Sequence, residues 1–285
     1  MARVFCIGNG ESRIGYDLEK LRPHGKIYGC NAIYRDFLPD VLTSVDHGIM
    51  HEIYHAGIAQ KIPCYFRDWT KVPEFMYESM LAGGLDQAEI DIIKSKGEFI
   101  SENPRNGAKE FVMHGANLQG LVKIVKETGE VFAKNVNHGV LRISWIQEPD
   151  YSHSLADVMN NKDEGWACGA SSGYVACKNE KPDELYLIGH DLYSQNNKVN
   201  NVYKSTKHYV SKENSPTPAV NWLRQWKEMF KLFPSTTFIK VNKFNDGRDA
   251  VNSEIDEWKG TPNLKYITQT TLDNILKIEY INNNA

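Results

Sequence analysis

The chain has 285 residues, of which 41% are hydrophobic and 24% charged, and its formal net charge is -3. That size and apolar content allow one sizeable core in a single 1–285 domain, and the slightly acidic balance offers no basic field for a polyphosphate backbone, which excludes a dedicated duplex nucleic-acid binder. The N-terminus lacks a basic-then-apolar-then-small leader, and no apolar run approaches the roughly 20 residues that span a bilayer, so a cytoplasmic chain with no membrane span is expected. Five cysteines, Cys6, Cys30, Cys64, Cys168 and Cys177, show no C-x-x-C spacing and read as buried reduced thiols.

The first predicted element is a strand over Arg3–Ile7, an apolar run that enters Gly8-Asn9-Gly10-Glu11-Ser12. Two glycines after a strand permit a sharp turn and close backbone approach, and Asn9 and Ser12 add side-chain hydrogen bonds suited to a nucleotide. The third glycine of the dinucleotide fingerprint is replaced by Arg13. Short apolar or β-branched runs bounded by turn residues then predict strands over Lys26–Gly29, Val41–Val45, Ile62–Phe66, Val140–Ile146, Glu184–Ile188 and Thr237–Val241. Apolar residues spaced by three and four predict helices over His47–Ala56, Pro73–Ala82, Asp86–Lys96, Leu118–Glu127, Gly169–Lys178 and Pro218–Phe233. Alternation of the two implies an α/β fold: a Rossmann-like, doubly wound, mainly parallel sheet with helices on both faces. Residues 67–135 read as a helical insertion and 192–216 as a lid.

In such a sheet, ligands bind beyond the carboxyl ends of the strands. Those positions hold Gly8-Asn9-Gly10, Cys30-Asn31, Asp46-His47 and Gly189-His190-Asp191-Leu192-Tyr193. The small residues Cys168-Gly169-Ala170-Ser171-Ser172-Gly173 open a helix, whose N-terminal N–H groups and dipole favour an anion. Asp46-His47 is followed by His51 and His55, a helical stripe whose outer members lie about 12 Å apart, so at most two could share a metal and a solvated face is the plainer reading. Trp222, Trp226, Phe230 and Phe233 read as a core-facing helical stripe. There is no P-loop, nucleophile elbow or H-E-x-x-H motif.

The ordered series Gly8-Asn9-Gly10-Glu11-Ser12, Cys30-Asn31, Ser171-Ser172-Gly173, Gly189-His190-Asp191-Leu192-Tyr193 and His208-Tyr209 resembles the bacterial lipooligosaccharide sialyltransferases across about two-thirds of the chain. That resemblance implies a metal-independent inverting transfer from a nucleotide-activated sugar to an acceptor that the sequence does not identify, with no cofactor. It implies that Asn9 and Asn31 bind the nucleotide and that Ser172 and Gly173 at the helix start contact phosphate or base. Tyr193 and Tyr203 would position the phosphate leaving group. Gly8, Gly10, Ser12 and Ser171 complete the nucleotide contacts, with Asp191 beside them at the catalytic end. Lys212 stands where the family carries its histidine base, so His208 or His190 is the candidate to deprotonate the acceptor.

Two other readings stay open. The opening motif also resembles the group that includes archaeal 6-hydroxymethyl-dihydropterin diphosphokinase. That likeness implies Mg²⁺-dependent phosphoryl or diphosphoryl transfer, with Asp46 and Asp191 as carboxylates for the ion. The sequence is also similar to tailed-phage proteins of undefined role, which implies a Rossmann-like interaction or structural protein without catalysis, in a host cytoplasm if phage-encoded. Donor identity, acceptor and assembly as a homo-oligomer are not legible.

Overall fold

The computed structural model describes residues 2–73, 99–101, 110–115, 141–160, 165–244 and 250–283. Its strands in chain order are β1 (Arg3–Ile7), β2 (Lys26–Cys30), β3 (Val41–Ser44), β4 (Cys64–Phe66), β5 (Trp69–Pro73), β6 (Phe99–Ser101), β7 (Glu110–Gly115), β8 (Leu141–Trp145), β9 (Ser152–Ser154), β10 (Glu184–Ile188), β11 (Thr237–Asn242) and β12 (Leu264–Thr268). The α-helices are α1 (His47–His55), α2 (Leu155–Met159), α3 (Cys168–Glu180), α4 (Val220–Leu232), α5 (Ala250–Ser253) and α6 (Gln269–Asn283). The chain divides into two compact units, Met1–Thr43 with Lys162–Ala285, and Ser44–Asn161.

In the first unit the strands run parallel in the order β12-β11-β10-β1-β2-β3. Phe5, Cys6 and Ile7 of β1 and Leu185, Leu187 and Ile188 of β10 are fully buried, as an apolar run covered on both faces requires. From β1 the chain steps outward through β2 and β3, and from β10 it steps the opposite way through β11 and β12. Right-handed crossovers therefore place the two sets of connections on opposite faces. Side-chain contacts agree. On one face Ser172 of α3 donates to the Gly29 carbonyl at 3.3 Å, and α4 packs Trp226 against Gly173 of α3. On the other, Asp273 of α6 accepts from the Tyr16 hydroxyl at 2.8 Å and pairs with Lys20 at 2.7 Å, both in the β1–β2 connection. This is the expected doubly wound, Rossmann-like α/β arrangement, and its switch point lies between the carboxyl ends of β1 and β10.

The second unit contains a parallel β4–β9 pair and a four-stranded sheet of order β5-β7-β8-β6, antiparallel except for β6 with β8. Its helix α1 buries Ile49, Met50, Ile53 and Tyr54, and the Tyr54 ring meets Trp69 edge-on at 5.1 Å. Two expectations change here. The run Val140–Ile146 forms β8 of this separate sheet, not a strand of the parallel one, and the described part of the presumed helical insertion 67–135 contains β5, β6 and β7. The predicted helices 73–82, 86–96 and 118–127 fall, apart from Pro73, outside the described residues. Strands β9 and β12 and helix α6 had no sequence prediction.

The five cysteines are free and buried. Among the described residues, no helix is long and apolar enough to cross a membrane.

The switch point is built by backbone against backbone. Gly8 donates its N–H to the Ile188 carbonyl and Gly10 donates to the Gly189 carbonyl, each at 2.8 Å, so the β1–β10 ladder continues past both strand ends. Gly189 takes a left-handed φ of 71°, and a Cβ there would stand 2.8 Å from the Gly8 carbonyl oxygen. Gly189→Ala is therefore expected to lower unfolding stability by roughly 1–3 kcal/mol through strain and overpacking, read from the midpoint of a denaturant titration. An unchanged midpoint would show that the two loops tolerate separation.

Candidate functional site

Close packing of these loops decides which groups of Gly8–Ser12 face a ligand. A Cβ on Gly8 would fall on the Gly189 carbonyl, and one on Gly10 would fall on the Asp191 carboxylate. The glycines that suggested close approach of a phosphate thus serve close approach of the β10 loop. Asp191 itself occupies the anion position: Oδ2 accepts the Ser12 N–H at 2.8 Å and Oδ1 accepts the Ser12 hydroxyl at 2.5 Å. Glu11 N–H goes to Asn200 Oδ1 at 2.8 Å. Ser12 and Asp191, read from sequence as a nucleotide contact and a catalytic group, are brought together as a clamp between loops.

Asn9 points the other way along this loop, toward β2. Its Nδ2 donates to the Cys30 carbonyl at 3.0 Å, while Oδ1 is buried with no hydrogen-bond partner. Next to Cys30, Asn31 begins a 3-10 turn over Asn31–Arg35 with a φ of 49°, a left-handed conformation that asparagine adopts more readily than most residues. Helix α3 runs antiparallel to the strands, so its N-terminus lies at their carboxyl ends. Cys168 Sγ reaches the Thr43 carbonyl at 2.9 Å, and Cys6 Sγ lies 3.8 Å from the Gly169 carbonyl.

The N-cap of α3, Ala167, gives no side-chain cap. Gln225 of α4, fully buried, holds that start by accepting the Ala167 N–H and donating to the Gly165 carbonyl, both at 2.8 Å. The helix begins at Cys168, so Ser171 already bonds back to Ala167, and the N–H groups of Cys168, Gly169 and Ala170 come before that first intrahelical bond. The buried Ser171 hydroxyl has no partner. Gly173 has a different role from the expected nucleotide contact: a Cβ there would come within 2.6 Å of Trp226 Cη2, so it lets α4 approach α3.

The segment 192–216 is anchored where a free lid was expected. Leu192, Val199 and Tyr203 are buried, Val202 donates to the Asn9 carbonyl at 2.8 Å, and Lys204 pairs with Glu11 at 2.5 Å. The Tyr203 hydroxyl bonds Asp36 and accepts from Arg13 Nη2 at 2.7 Å, while Arg13 Nη1 lies 3.0 Å from Asp36. Burial, with the neighbouring Asp36 carboxylate, pushes the Tyr203 phenol well above its ordinary range. Arg35 reinforces the latch, donating to Thr206 Oγ1 at 2.9 Å and to the Lys207 carbonyl at 3.1 Å. The Tyr203 hydroxyl, expected to position the phosphate leaving group, is here bonded within a latch. Arg13 and Asp36 were not singled out in the sequence; the only hint was an arginine in the place of the fingerprint's third glycine.

Tyr193 donates its hydroxyl to Glu257 at 3.0 Å, and its backbone is held by Asn252, whose Oδ1 accepts the Leu192 and Tyr193 N–H groups at 2.9 and 3.1 Å. Buried Lys240 in turn donates to the Asn252 carbonyl at 2.7 Å.

The two candidate bases differ in kind. His208 is exposed on a turn with φ of 67°. His190 is buried, with Nε2 at 3.1 Å from the Cys6 carbonyl, which fixes the proton on that nitrogen, and its ring meets Trp226 edge-on at 5.0 Å. It is a core histidine whose Nε2 is committed to the Cys6 carbonyl. Burial pushes its pKa from 6.5 down to about 4, with Lys240 acting in the same sense and the Cys6 carbonyl against it.

Asp46 precedes α1 in the second unit, where the histidine stripe is also absorbed by local contacts: His47 meets Asp68 at 3.2 Å, His51 and His55 rings lie 4.1 Å apart, and His55 meets Ser144 at 3.1 Å. Among the described residues, no three His, Cys, Asp or Glu side chains are grouped to hold a metal ion.

Two outcomes test this geometry. Tyr203→Phe removes the latch hydroxyl and is expected to cost roughly 1–3 kcal/mol and to speed hydrogen exchange at the Val202 and Ser205 amides, with unaltered exchange arguing against a latch. His190 is neutral when folded and titrates near 6.5 when unfolded, so its stabilising contribution is complete above pH 6.5 and is lost as pH falls toward about 4. Over that window wild type should lose roughly 3 kcal/mol more than His190→Asn in paired denaturant titrations, and parallel pH profiles would contradict the assignment.

Comparison of the chain with protein-family models, curated proteins and solved structures returned no match.

Proposed function

We propose that the chain is a glycosyltransferase that draws on a nucleotide-activated sugar, with the nucleotide seated at the carboxyl ends of β1 and β2 beside the start of α3. The observation that supports this is the orphaned Asn9 Oδ1. A buried acceptor left unpaired costs roughly 1–3 kcal/mol, a cost that a ligand donor can relieve. Because the Asn9 amide nitrogen is spent on Cys30, Oδ1 suits a ribose hydroxyl or a base amino group and not a phosphate. Phosphate belongs at the N-terminus of α3, where the dipole and the N–H groups of the first turn favour negative charge. Asn31, fixed in its left-handed turn, completes the grip.

In the reaction, charge develops on the departing phosphate. Lys204, Lys207 and Lys212, all on the segment that covers Asn9, supply positive charge from the chain itself. The exposed His208 takes the acceptor proton; His190 and Asp191 support the loops. Since Val202 is bonded to Asn9, the segment must part from β1 for the donor to enter and close again over it.

Thermal shift with cytidine, uridine, guanosine and adenosine nucleotides tests the seat, because a ligand of the folded state raises stability by mass action. One of these is expected to raise the midpoint in wild type and to lose that effect in the Asn9→Ala/Asn31→Ala protein. A shift that survives both substitutions would contradict the site. With a donor found, His208→Ala should lower turnover by roughly 10²–10⁴-fold with little change in donor affinity. Unaffected turnover would remove His208 as base.

A further inference from the structure

The loop Gly8–Ser12 has a second side. Opposite Asn9, a cleft of about 180 Å³ opens beyond β1, β10 and β11, with Glu11, Ser12, Asp191, Gln195, Asn196 and Phe244 on its walls. Several ligand classes are disfavoured by that lining. Two carboxylates repel a phosphate, and Lys243 on the same wall is engaged with the Ile14 carbonyl at 2.9 Å and lies 5.7 Å from the centre of the Phe244 ring. A single aromatic ring does not make an apolar pocket. The volume lies below the roughly 300 Å³ at which pockets for drug-sized molecules begin, which favours a ligand smaller than a whole nucleotide.

Glu11 is already paired with Lys204, Asp191 with Ser12, and among the described residues no three His, Cys, Asp or Glu side chains are grouped to hold a metal ion, so the lining suits a neutral molecule rich in hydroxyl groups. Each Asp191 oxygen accepts one bond from Ser12 and retains a second lone pair. Glu11 meets Lys204 through Oε1, which leaves Oε2 as an acceptor. At the Asn196 side chain, Oδ1 accepts from Ser194 at 2.9 Å and from the Lys198 N–H at 3.0 Å, which leaves its NH₂ group to donate. Carboxylates and amides are planar groups whose paired atoms match adjacent hydroxyls, and the Phe244 ring offers a flat apolar surface for the C–H side of a ring. We propose that this cleft binds a single neutral sugar ring, at a site distinct from the nucleotide contacts of Asn9 and independent of whether the chain transfers a sugar.

Saturation-transfer difference NMR on the full chain with D-galactose, D-glucose and N-acetyl-D-glucosamine tests this. At least one sugar should receive saturation on its ring protons, and the signal should disappear in Gln195→Ala/Asn196→Ala and in Phe244→Ala. The first variant changes exposed side chains, so it decides the matter if Phe244→Ala fails to fold. The Asn9→Ala/Asn31→Ala protein should keep the sugar signal even though it loses nucleotide binding. Absence of transfer from all three sugars, persistence in the Gln195→Ala/Asn196→Ala protein, or loss in the Asn9→Ala/Asn31→Ala protein would each overturn the assignment.

Discussion

The contact on which the first unit depends is the backbone approach of Gly8 and Gly189 at the switch point. Two parallel strands end side by side, and their loops continue in register for two more hydrogen bonds before they part. Only residues without a Cβ permit that approach. Asp191 then closes the seam on Ser12 with a carboxylate that accepts from a backbone N–H and a hydroxyl. The Glu11 and Ser12 N–H groups of the turn are thereby occupied from within the chain, by Asn200 and Asp191.

The two flanks of the loop differ chemically. Toward β2 lie Asn9, Asn31 and the uncapped start of α3, where polar groups are buried and one acceptor is unpaired. Toward β11 lies an open cleft of carboxylates, amides and one ring. The segment from Leu192 to Asn214 serves both, since Asn200 caps Glu11 while Val202 and Tyr203 tie it to Asn9, Asp36 and Arg13. Its buried residues, with the Arg13–Asp36–Tyr203 bonds, explain how a stretch without regular structure keeps a defined course.

Strands β1 and β10 were legible to the residue because both are buried on both faces and bounded by turns, the pattern that leaves a continuous apolar run. β12 was not, because it is an edge strand whose five residues are partly or fully exposed and carry no such run. Of the α4 stripe read as core, Trp226 and Phe230 are buried, while Trp222 and Phe233 are half-buried. The glycine loop was legible as a turn at a strand end, but the roles of its residues were not. Gly8, Gly10 and Ser12 acquire their roles from residues about 180 positions away, as the 179-residue separation of Ser12 and Asp191 illustrates, and Tyr203 acquires its own from Asp36 at a separation of 167. Residue type and spacing indicate what a side chain can bond; only the fold selects which partner it receives.

The seat of the nucleotide at Asn9 is tested most directly by following the Asn9 side-chain amide in ¹H–¹⁵N NMR spectra while each nucleotide is added. A nucleotide that binds at the ends of β1 and β2 gives Asn9 Oδ1 its missing donor, so the resonance should move progressively and saturate along with the thermal shift. A nucleotide that raises stability while the Asn9 amide resonance stays in place would contradict the account.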